Sequence, residues 1–352
     1  MPRYRQYIDT DVLTEAKKRV HHIYDQYDNV AVMFSGGKDS LAVLHVTHEV
    51  AEERGIKKVK VVFRDEELIH QEIVDFVEHY RTNVPWVDLE WWCVPMTSVR
   101  YVLGETIDIT FWDPSRPWAR PMPDGAVTGA DLGFKDGETV DQKHADALAA
   151  RAMKGAICSL TGIRADESIQ RYRACVNKLN ENYIVASSTK RVKLGRPIFD
   201  WTENDVFRYF YDRGIKYCPI YDHQIWGGAK LRVSTALNPQ ASKVLGELEA
   251  YDPQLYERAI EVFPETALQR RYWDELDRDG TLDEYSKSWD TIREWVVGHY
   301  KDPVQRAETI KELDSVIVRA RRSPEAYPLR YVLQSLMRQS GRRTVLPIKG
   351  EA

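Results

Sequence analysis

The residue types best suited to chemistry stand together in one short run, Ser35-Gly36-Gly37-Lys38-Asp39-Ser40. The apolar, β-prone segment 30–34 comes before it, and the helical run Leu41-Ala42-Val43-Leu44 comes after it. Glycines let a backbone approach an anion without a Cβ in the way, and the free N–H groups of a helix's first turn face that anion. The order of strand, glycine turn and helix therefore predicts a phosphate-binding loop. The alternative is a turn that holds no ligand.

The polar side chains of this loop each have a candidate role. Lys38 supplies a point charge, and Ser35 and Ser40 supply hydroxyls. A carboxylate can hold a Mg²⁺ ion that bridges phosphate oxygens, which makes Asp39 a candidate metal ligand.

The segments around the loop alternate in type, as in a parallel α/β sheet flanked by helices. Apolar spacing predicts helices at 10–27, 41–54 and 69–80 and strands at 30–34, 59–63 and 86–94. Such alternation gives parallel strands with right-handed crossovers, and ligands bind at the carboxyl ends of those strands. Residues 35–40 and the acidic run Asp65-Glu66-Glu67 both fall at such ends.

Two arginines follow a further predicted strand at 156–163. Arg164 stands at the strand end, and Arg171 lies one helical turn beyond Glu167. Arginines at this edge can bind phosphate or sulfate with two hydrogen bonds, so both are candidate catalytic residues. The alternative for Arg171 is an ion pair with Glu167 along a helix.

The segment 104–134 interrupts the alternation with prolines, aromatic residues and two arginines. A loop of this length in a compact domain has a function or is disordered, and disordered chains are poor in aromatic residues. We therefore interpret it as a lid or acceptor-binding loop in which Arg116 and Arg120 face an anion. The alternative is a packed surface excursion. We predict an Ala-rich helix at 140–154, a nucleotide-binding domain at 1–225 and a mainly helical region at 226–352.

The bulk composition describes a water-soluble globular protein. The chain has 352 residues, 43% of them hydrophobic and 30% charged, with a net charge of −4, which disfavours general coating of nucleic acid. No apolar run is long enough to span a bilayer and no signal-type core follows the N-terminus, so we predict a cytoplasmic protein. The four cysteines lack any CxxC pair and are interpreted as buried, reduced thiols: Cys93, Cys158, Cys175 and Cys218.

Three separated segments resemble the phosphoadenosine phosphosulfate (PAPS) reductase family of PP-loop nucleotide α-hydrolases. They are residues 35–40, Gly162-Ile-Arg-Ala-Asp-Glu-Ser168 and Pro197-Ile-Phe-Asp-Trp-Thr-Glu-Asn-Asp-Val206, in the order that this family shows. The form of the second segment is closest to the IbrA-like branch, whose members occur beside ParB-like partners. The resemblance implies a HUP-type (adenine nucleotide α-hydrolase-like) fold that binds ATP, cuts it between the α and β phosphates, and holds the pyrophosphate in the loop.

The chain also departs from this family. It lacks the Glu-Cys-Gly-Leu-His nucleophile of the reductases, and it lacks the cysteine pairs that hold an iron–sulfur cluster in some relatives, so we expect neither thiol-based reduction nor such a cluster. The family's Asp-Thr-Gly segment is replaced by Asp65-Glu66-Glu67. This acidic run favours a metal–ATP complex or a cationic acceptor over a sulfonucleotide.

The leading hypothesis is an adenylyltransferase that cleaves ATP and passes AMP to an unidentified acceptor. Its predicted parts are a pyrophosphate loop (Ser35, Gly36, Gly37, Lys38 and Ser40), Mg²⁺ ligands Asp39 and Asp65, and charge-stabilising Arg164 and Arg171. One alternative is a regulatory protein that senses ATP or a sulfonucleotide and acts on a ParB-like or nucleic-acid partner through the Arg-rich stretch 330–343. Another is sulfur transfer to nucleic acid, for which Cys158 and Cys218 are the candidate persulfide carriers.

Overall fold

The computed structural model describes residues 8–102, 105–168, 171–172, 175, 183–226, 249, 252–264, 278–337, 345 and 347–348. The chain divides into two compact units, one made of 1–100 with 108–264 and the other of 101–107 with 265–352. The first unit extends past the predicted boundary at 225, because a helix at 253–262 packs into its core through Leu255 and Ala259.

A seven-stranded sheet is the centre of the first unit. Its strands are β1 Asn29–Met33, β2 Val59–Arg64, β3 Val87–Cys93, β6 Val127–Thr128, β8 Ile157–Leu160, β9 Ile184–Ala186 and β10 Val192–Gly195. They lie in the order β6-β3-β2-β1-β8-β10-β9, and all of the paired strands run parallel except β9, which is antiparallel to β10. The central strand β1 pairs with β2 through Val32↔Val61 and with β8 through Val32↔Leu160.

Helices cover this sheet much as the apolar spacing predicts. Helix α1 is capped by Asp11, whose carboxylate accepts a hydrogen bond from Thr14 N. Helix α5 begins with a capping box between Thr202 and Asp205 and ends at Gly214, which is left-handed with a φ of 64°. The helices of this unit are α1 Val12–Gln26, α2 Lys38–Glu53, α3 Gln71–Asn83, α4 Ala149–Ala152, α5 Glu203–Arg213, α6 Ile220–Trp226 and α7 Pro253–Val262. The expected α/β fold with a parallel sheet flanked by helices is thus confirmed.

Two segments between β3 and β8 differ from the prediction. The segment 104–134 is not one long loop: it contains all of strand β5 (Glu105–Phe111) and all of β6, and β5 joins β4 (Met96–Val102) and β7 (Val140–Asp141) in a second, three-stranded sheet. The predicted helix at 140–154 is instead β7, a 3₁₀ stretch at Gln142–Leu148 and the short α4. Alanine-rich composition overestimated the helix here because tertiary pairing of β7 with β4 overrides propensity.

The described part of the second unit is mainly helical, with its own core of Ile292, Trp295, Val296, Leu313 and Leu333. Its helices are α8 Arg278–Tyr285, α9 Trp289–His299, α10 Pro303–Ala320 and α11 Leu329–Met337. Within the described ranges, no helix combines the length and apolar character that crossing a membrane requires.

Candidate nucleotide-binding site

The predicted phosphate loop connects β1 to α2 at the carboxyl edge of the sheet. Gly37 is the N-cap of α2 and, as a glycine, has no side chain of its own to cap the helix. Behind the loop the two serines bind each other, with Ser35 Oγ 3.0 Å from Ser40 Oγ, while Ser40 Oγ donates to Gly37 O at 2.9 Å. The serine contacts brace the loop from within, and the start of α2 carries the partial positive charge that attracts an anion.

Two glycines make this geometry possible. Gly36 has a φ of +72°, and a Cβ there would lie 2.8 Å from Ile73 Cγ2 on α3. Gly162, just after β8, passes so close to the first turn of α2 that a Cβ would lie 2.5 Å from Asp39 C and 2.6 Å from Ser40 N. Gly162 belongs to the segment 162–168 that resembles the family. Its lack of a side chain allows the chain after β8 to pack closely against the phosphate loop.

Charged side chains gather at the start of α2. Lys38 is 5% exposed and its Nζ lies 3.1 Å from Asp39 Oδ2 and 3.2 Å from Glu203 Oε1. Arg164, 4% exposed, donates from Nε to Asp39 Oδ1 at 2.7 Å. The structure thus brings together Lys38, Asp39 and Arg164 as sequence reasoning expected, with one cation on each oxygen of the carboxylate.

Tyr221 on α6 is a site residue that sequence reasoning missed. The Lys38 backbone N–H, in the first turn of α2, donates to Tyr221 Oη at 2.9 Å, and Lys38 Nζ lies 5.6 Å from the ring centroid. Burial raises the pKa of Tyr221, so the group remains a neutral phenol. Tyr221 Oη thus accepts a hydrogen bond from a backbone N–H that a bound anion would otherwise use. Nothing in the local sequence pointed to this contact, since the residues are 183 positions apart.

A cavity of about 200 Å³ opens beside the loop. It is bounded by the ends of β1 and β2 and the start of α3, with Phe34, Ser35, Arg64, Glu66 and Ile73 among its lining residues. Apolar walls with a few polar groups are typical of small-molecule sites.

Arg64, the last residue of β2, is the second missed residue. Within the described residues its guanidinium has no hydrogen bond or ion pair, and burial lowers its pKa against the opposing influence of Glu66 and Asp146. Arg64 is half-buried, and its place on the cavity wall puts a cation without a fixed partner where a ligand oxygen or nitrogen could bind. A basic residue ending an otherwise apolar strand was the signal available in the sequence.

Asp65 does not fit the predicted role of magnesium ligand. Its side chain is buried, Oδ1 accepts a hydrogen bond from Glu67 N at 2.8 Å, and Oδ2 accepts one from Trp91 Nε1 at 2.7 Å. Arg120 forms an ion pair with the same carboxylate. Both oxygens of Asp39 have partners too, Lys38 and Arg164, but its side chain is 17% exposed, whereas that of Asp65 is 0% exposed. Of these two predicted ligands, Asp39 is therefore the accessible one, and it lies on the phosphate loop.

The acidic turn after β2 is neutralised by the segment 104–134. Glu67 is 2% exposed and accepts from both terminal nitrogens of Arg116 at 2.7 Å and from Trp112 N at 2.7 Å. Glu67 and Trp112 have φ values of 59° and 51°, a left-handed backbone that costs free energy in non-glycine residues. The anions that face Arg116 and Arg120 are therefore Glu67 and Asp65 of the protein itself, and the described part of this segment is packed.

The other residues predicted from the sequence, which are Arg171, the four cysteines and the Arg-rich stretch, do not join the ionic cluster at the loop. Arg171 forms an ion pair with Glu167, the alternative noted from their spacing. All four cysteines are buried and free, as expected. Burial raises the thiol pKa of Cys158 and of Cys218 to about 12, so neither is a thiolate at neutral pH. Arg338, Arg342 and Arg343 of the Arg-rich stretch lie outside the described residues.

The parallel sheet, the strand-loop-helix phosphate site and the glycine that packs against it define a PP-loop nucleotide-binding fold. The chain matches the description "Phosphoadenosine phosphosulfate reductase domain" over residues 29–112 and 135–258. It therefore belongs to the PAPS reductase family. The break in the match falls within the segment 104–134, and the second part of the match ends at residue 258, inside α7. The finer assignment to the IbrA-like branch stays a prediction.

The comparisons also found one curated relative and several solved structures. "Uncharacterized protein YbdN" of Escherichia coli (strain K12) is 26% identical over 242 residues, which cover 66% of this chain and 59% of that protein, less than two thirds of its length. FMN adenylyltransferase of Candida glabrata is 12% identical, with 63% of each chain covered and a TM-score of 0.40. PAPS reductase of Candida auris is 16% identical, with 63% of this chain and 88% of that chain covered and a TM-score of 0.36.

Proposed function

We propose that this protein binds ATP at residues 35–40 and cleaves it between the α and β phosphates, transferring AMP to an acceptor. The observation that carries the proposal is the arrangement of Lys38, Asp39 and Arg164 around the start of α2. Two buried cations and a row of backbone N–H groups would surround a pyrophosphate leaving group. Stabilising the charge that develops on a leaving group is the main source of catalysis in phosphate chemistry.

The cavity beside the loop supports a nucleotide rather than free phosphate. Its volume of about 200 Å³ and its apolar walls suit a flat nucleobase next to the phosphate site. Arg64, a hydrogen-bond donor, and Glu66, an acceptor, line the same cavity and could form hydrogen bonds with the edge of that base. Glu66 Oε1 is held by Gln142 Nε2 at 2.8 Å, which fixes the orientation of its carboxylate.

Adenylation needs positioning more than a protein nucleophile. The described cysteines are buried thiols, and the ionic cluster at the loop contains no side chain placed to attack phosphorus. The acceptor would therefore supply the attacking oxygen or nitrogen: its bond to the α phosphorus forms as the bond to the bridging oxygen of pyrophosphate breaks. Holding both reactants in line contributes to such a displacement by proximity.

Binding can be tested before turnover. Isothermal titration with a non-hydrolysable α,β-methylene ATP analogue should show one site, and Lys38→Ala should weaken binding roughly 10–100-fold, the usual effect of losing a charge-assisted hydrogen bond. Lys190→Ala, which removes an exposed lysine, is the matched control. Equal affinity in Lys38→Ala and the control would overturn the site assignment.

A second candidate function, nucleotide sensing, is favoured by the contact between Lys38 N and Tyr221 Oη. An anion bound at this N–H must displace the phenol, which would shift α6 and could signal to a ParB-like or nucleic-acid partner. Hydrogen exchange tests this: ATP should raise exchange in α6 of the wild type and leave it unchanged in Tyr221→Phe. Protection of α6 by ATP in both proteins would count against a sensor that works through Tyr221. Sulfur transfer gains no support, because Cys158 and Cys218 are protonated thiols.

A further inference from the structure

A group of four ionisable side chains lies at the start of α3, separate from the loop's ionic cluster. Ligand atoms of His70, Glu72 and Asp252 all lie within 4.8 Å of one another. His70 Nδ1 is 2.7 Å from Asp252 Oδ2, and His223 Nδ1 on α6 is 3.3 Å from Glu72 Oε1. Residues far apart in the chain thus bring two imidazoles and two carboxylates to one place.

Backbone elements fix three of these side chains. His70 is the N-cap of α3, and Glu72 stands in its first turn. Asp252 is the N-cap of α7, where its Oδ1 accepts a hydrogen bond from Leu255 N at 3.0 Å. One oxygen of Asp252 is therefore bound to its own helix while the other points to His70. Metal ligands are commonly oriented by such a second hydrogen bond.

Burial is graded across the group. The side chains of His70 and Asp252 are 5% and 13% exposed, whereas those of Glu72 and His223 are 32% and 46% exposed. The His70 side is closed and the His223 side is open to solvent. An ion could enter from the His223 side and lose most of its water at His70.

The charges in this group favour a cation. A carboxylate oxygen of Asp252 lies within 4.8 Å of a carboxylate oxygen of Glu72. Two adjacent carboxylates repel each other, and a dication between them would remove that repulsion.

We propose that His70, Glu72 and Asp252 bind one divalent transition-metal ion, with Zn²⁺ as the expected ion and His223 beside Glu72 at the open side of the site. Imidazole nitrogen and carboxylate oxygen are the ligands that suit zinc, whereas magnesium and calcium prefer oxygen alone. Cys218 lies nearby, but its Sγ donates to the backbone carbonyl of Glu72 at 3.5 Å, so it is not counted among the ligands. The metal would link the start of α7 to the start of α3.

The test is a zinc titration of the full chain after dialysis against EDTA, with a chromophoric chelator as competitor. The wild type should bind one equivalent of Zn²⁺, and Co²⁺ in its place should give visible d–d absorption. Asp252→Asn should weaken zinc binding at least tenfold, because asparagine still caps α7 but is a poor metal ligand. Glu72→Gln removes the charged ligand at the solvent-exposed end of the site and should also weaken binding.

The matched control is Asp302→Asn, which alters the carboxylate cap of α10 in the second unit. It should bind zinc like the wild type, and Zn²⁺ should raise the melting temperature of both proteins but not of Asp252→Asn. The proposal is overturned if the wild type binds less than one equivalent, or if Asp252→Asn binds zinc as tightly as Asp302→Asn. Either result would leave His70 and Asp252 as an ordinary ion pair. The test measures zinc binding alone, so its outcome does not depend on whether the protein binds ATP.

Discussion

Arg164 Nε donates a hydrogen bond to Asp39 Oδ1 at 2.7 Å, joining the end of β8 to the phosphate loop across 125 positions of sequence. Asp39 is thereby held between Arg164 and Lys38, and two of the family's separated segments become one site. The pair also positions a buried guanidinium at the edge where phosphates would bind. Arg164 is therefore expected to act on bound nucleotide and to orient Asp39.

Replacement of Arg164 by lysine tests this double role. Lysine keeps the charge but not the planar guanidinium that can bind a carboxylate and a phosphate together, so nucleotide affinity should fall roughly tenfold or more. The measurement is analogue binding by calorimetry. Arg208→Lys, in an exposed pair with Asp212, is the control and should bind normally. Unchanged affinity in Arg164→Lys would show that charge alone suffices.

Gly162→Ala should damage the site without contacting any ligand. Its Cβ would lie 2.5 Å from Asp39 C, so the first turn of α2 must shift, at a cost of roughly 1–3 kcal/mol in the free energy of unfolding. Nucleotide affinity should fall as well. Gly298→Ala in α9 is the matched control, since nothing lies within 4 Å of its Cβ position. Urea unfolding and calorimetry would measure both effects; equal stability of the two variants would contradict the close approach.

Arg64→Leu should produce opposite changes in stability and binding. Removing a half-buried cation that has no hydrogen-bond partner among the described residues should leave the free energy of unfolding unchanged or raise it. Nucleotide affinity should fall roughly 10–100-fold if Arg64 contacts the ligand. Lys58→Leu removes an exposed cation just before β2 and serves as the control. A variant that loses stability but binds normally would show that Arg64 is structural.

Stability should fall in mild acid because of His45. Burial lowers the pKa of His45 from 6.5 to about 4, so the native protein keeps it neutral while the unfolded chain protonates it. The unfolded state therefore binds more protons between about pH 6.5 and 4, and the free energy of unfolding should fall by about 1 kcal/mol per pH unit in that window. Urea unfolding at pH 7, 6 and 5 measures this.

The control for this pH effect is a pair of histidine variants. His45→Gln should flatten the pH dependence between pH 7 and 5, whereas His79→Gln, which changes an exposed histidine, should keep the wild-type slope. Equal slopes in the two variants would show that another group causes the acid sensitivity.

Local patterns predicted the fold and the loop well, and long-range pairing explains what they missed. The loop residues and Arg164 were predictable because strand ends of a parallel sheet meet at one edge. The partners of Asp65 and Glu67 were not, because Arg116 and Arg120 come from a segment with no helical or strand periodicity that could place it. Tyr221 and Asp252 were missed for the same reason: each acts through a contact with a residue about 180 positions away.

The central claim, cleavage of ATP between the α and β phosphates, is tested most directly by pyrophosphate release. Purified protein with Mg-ATP would be assayed alone and with cell extract, nucleic acid or sulfate added singly. The proposed function predicts release that depends on one of these additions, and that is lost in Lys38→Ala and kept in Lys190→Ala. Tight ATP binding without pyrophosphate under every condition, or full release by Lys38→Ala, would contradict it.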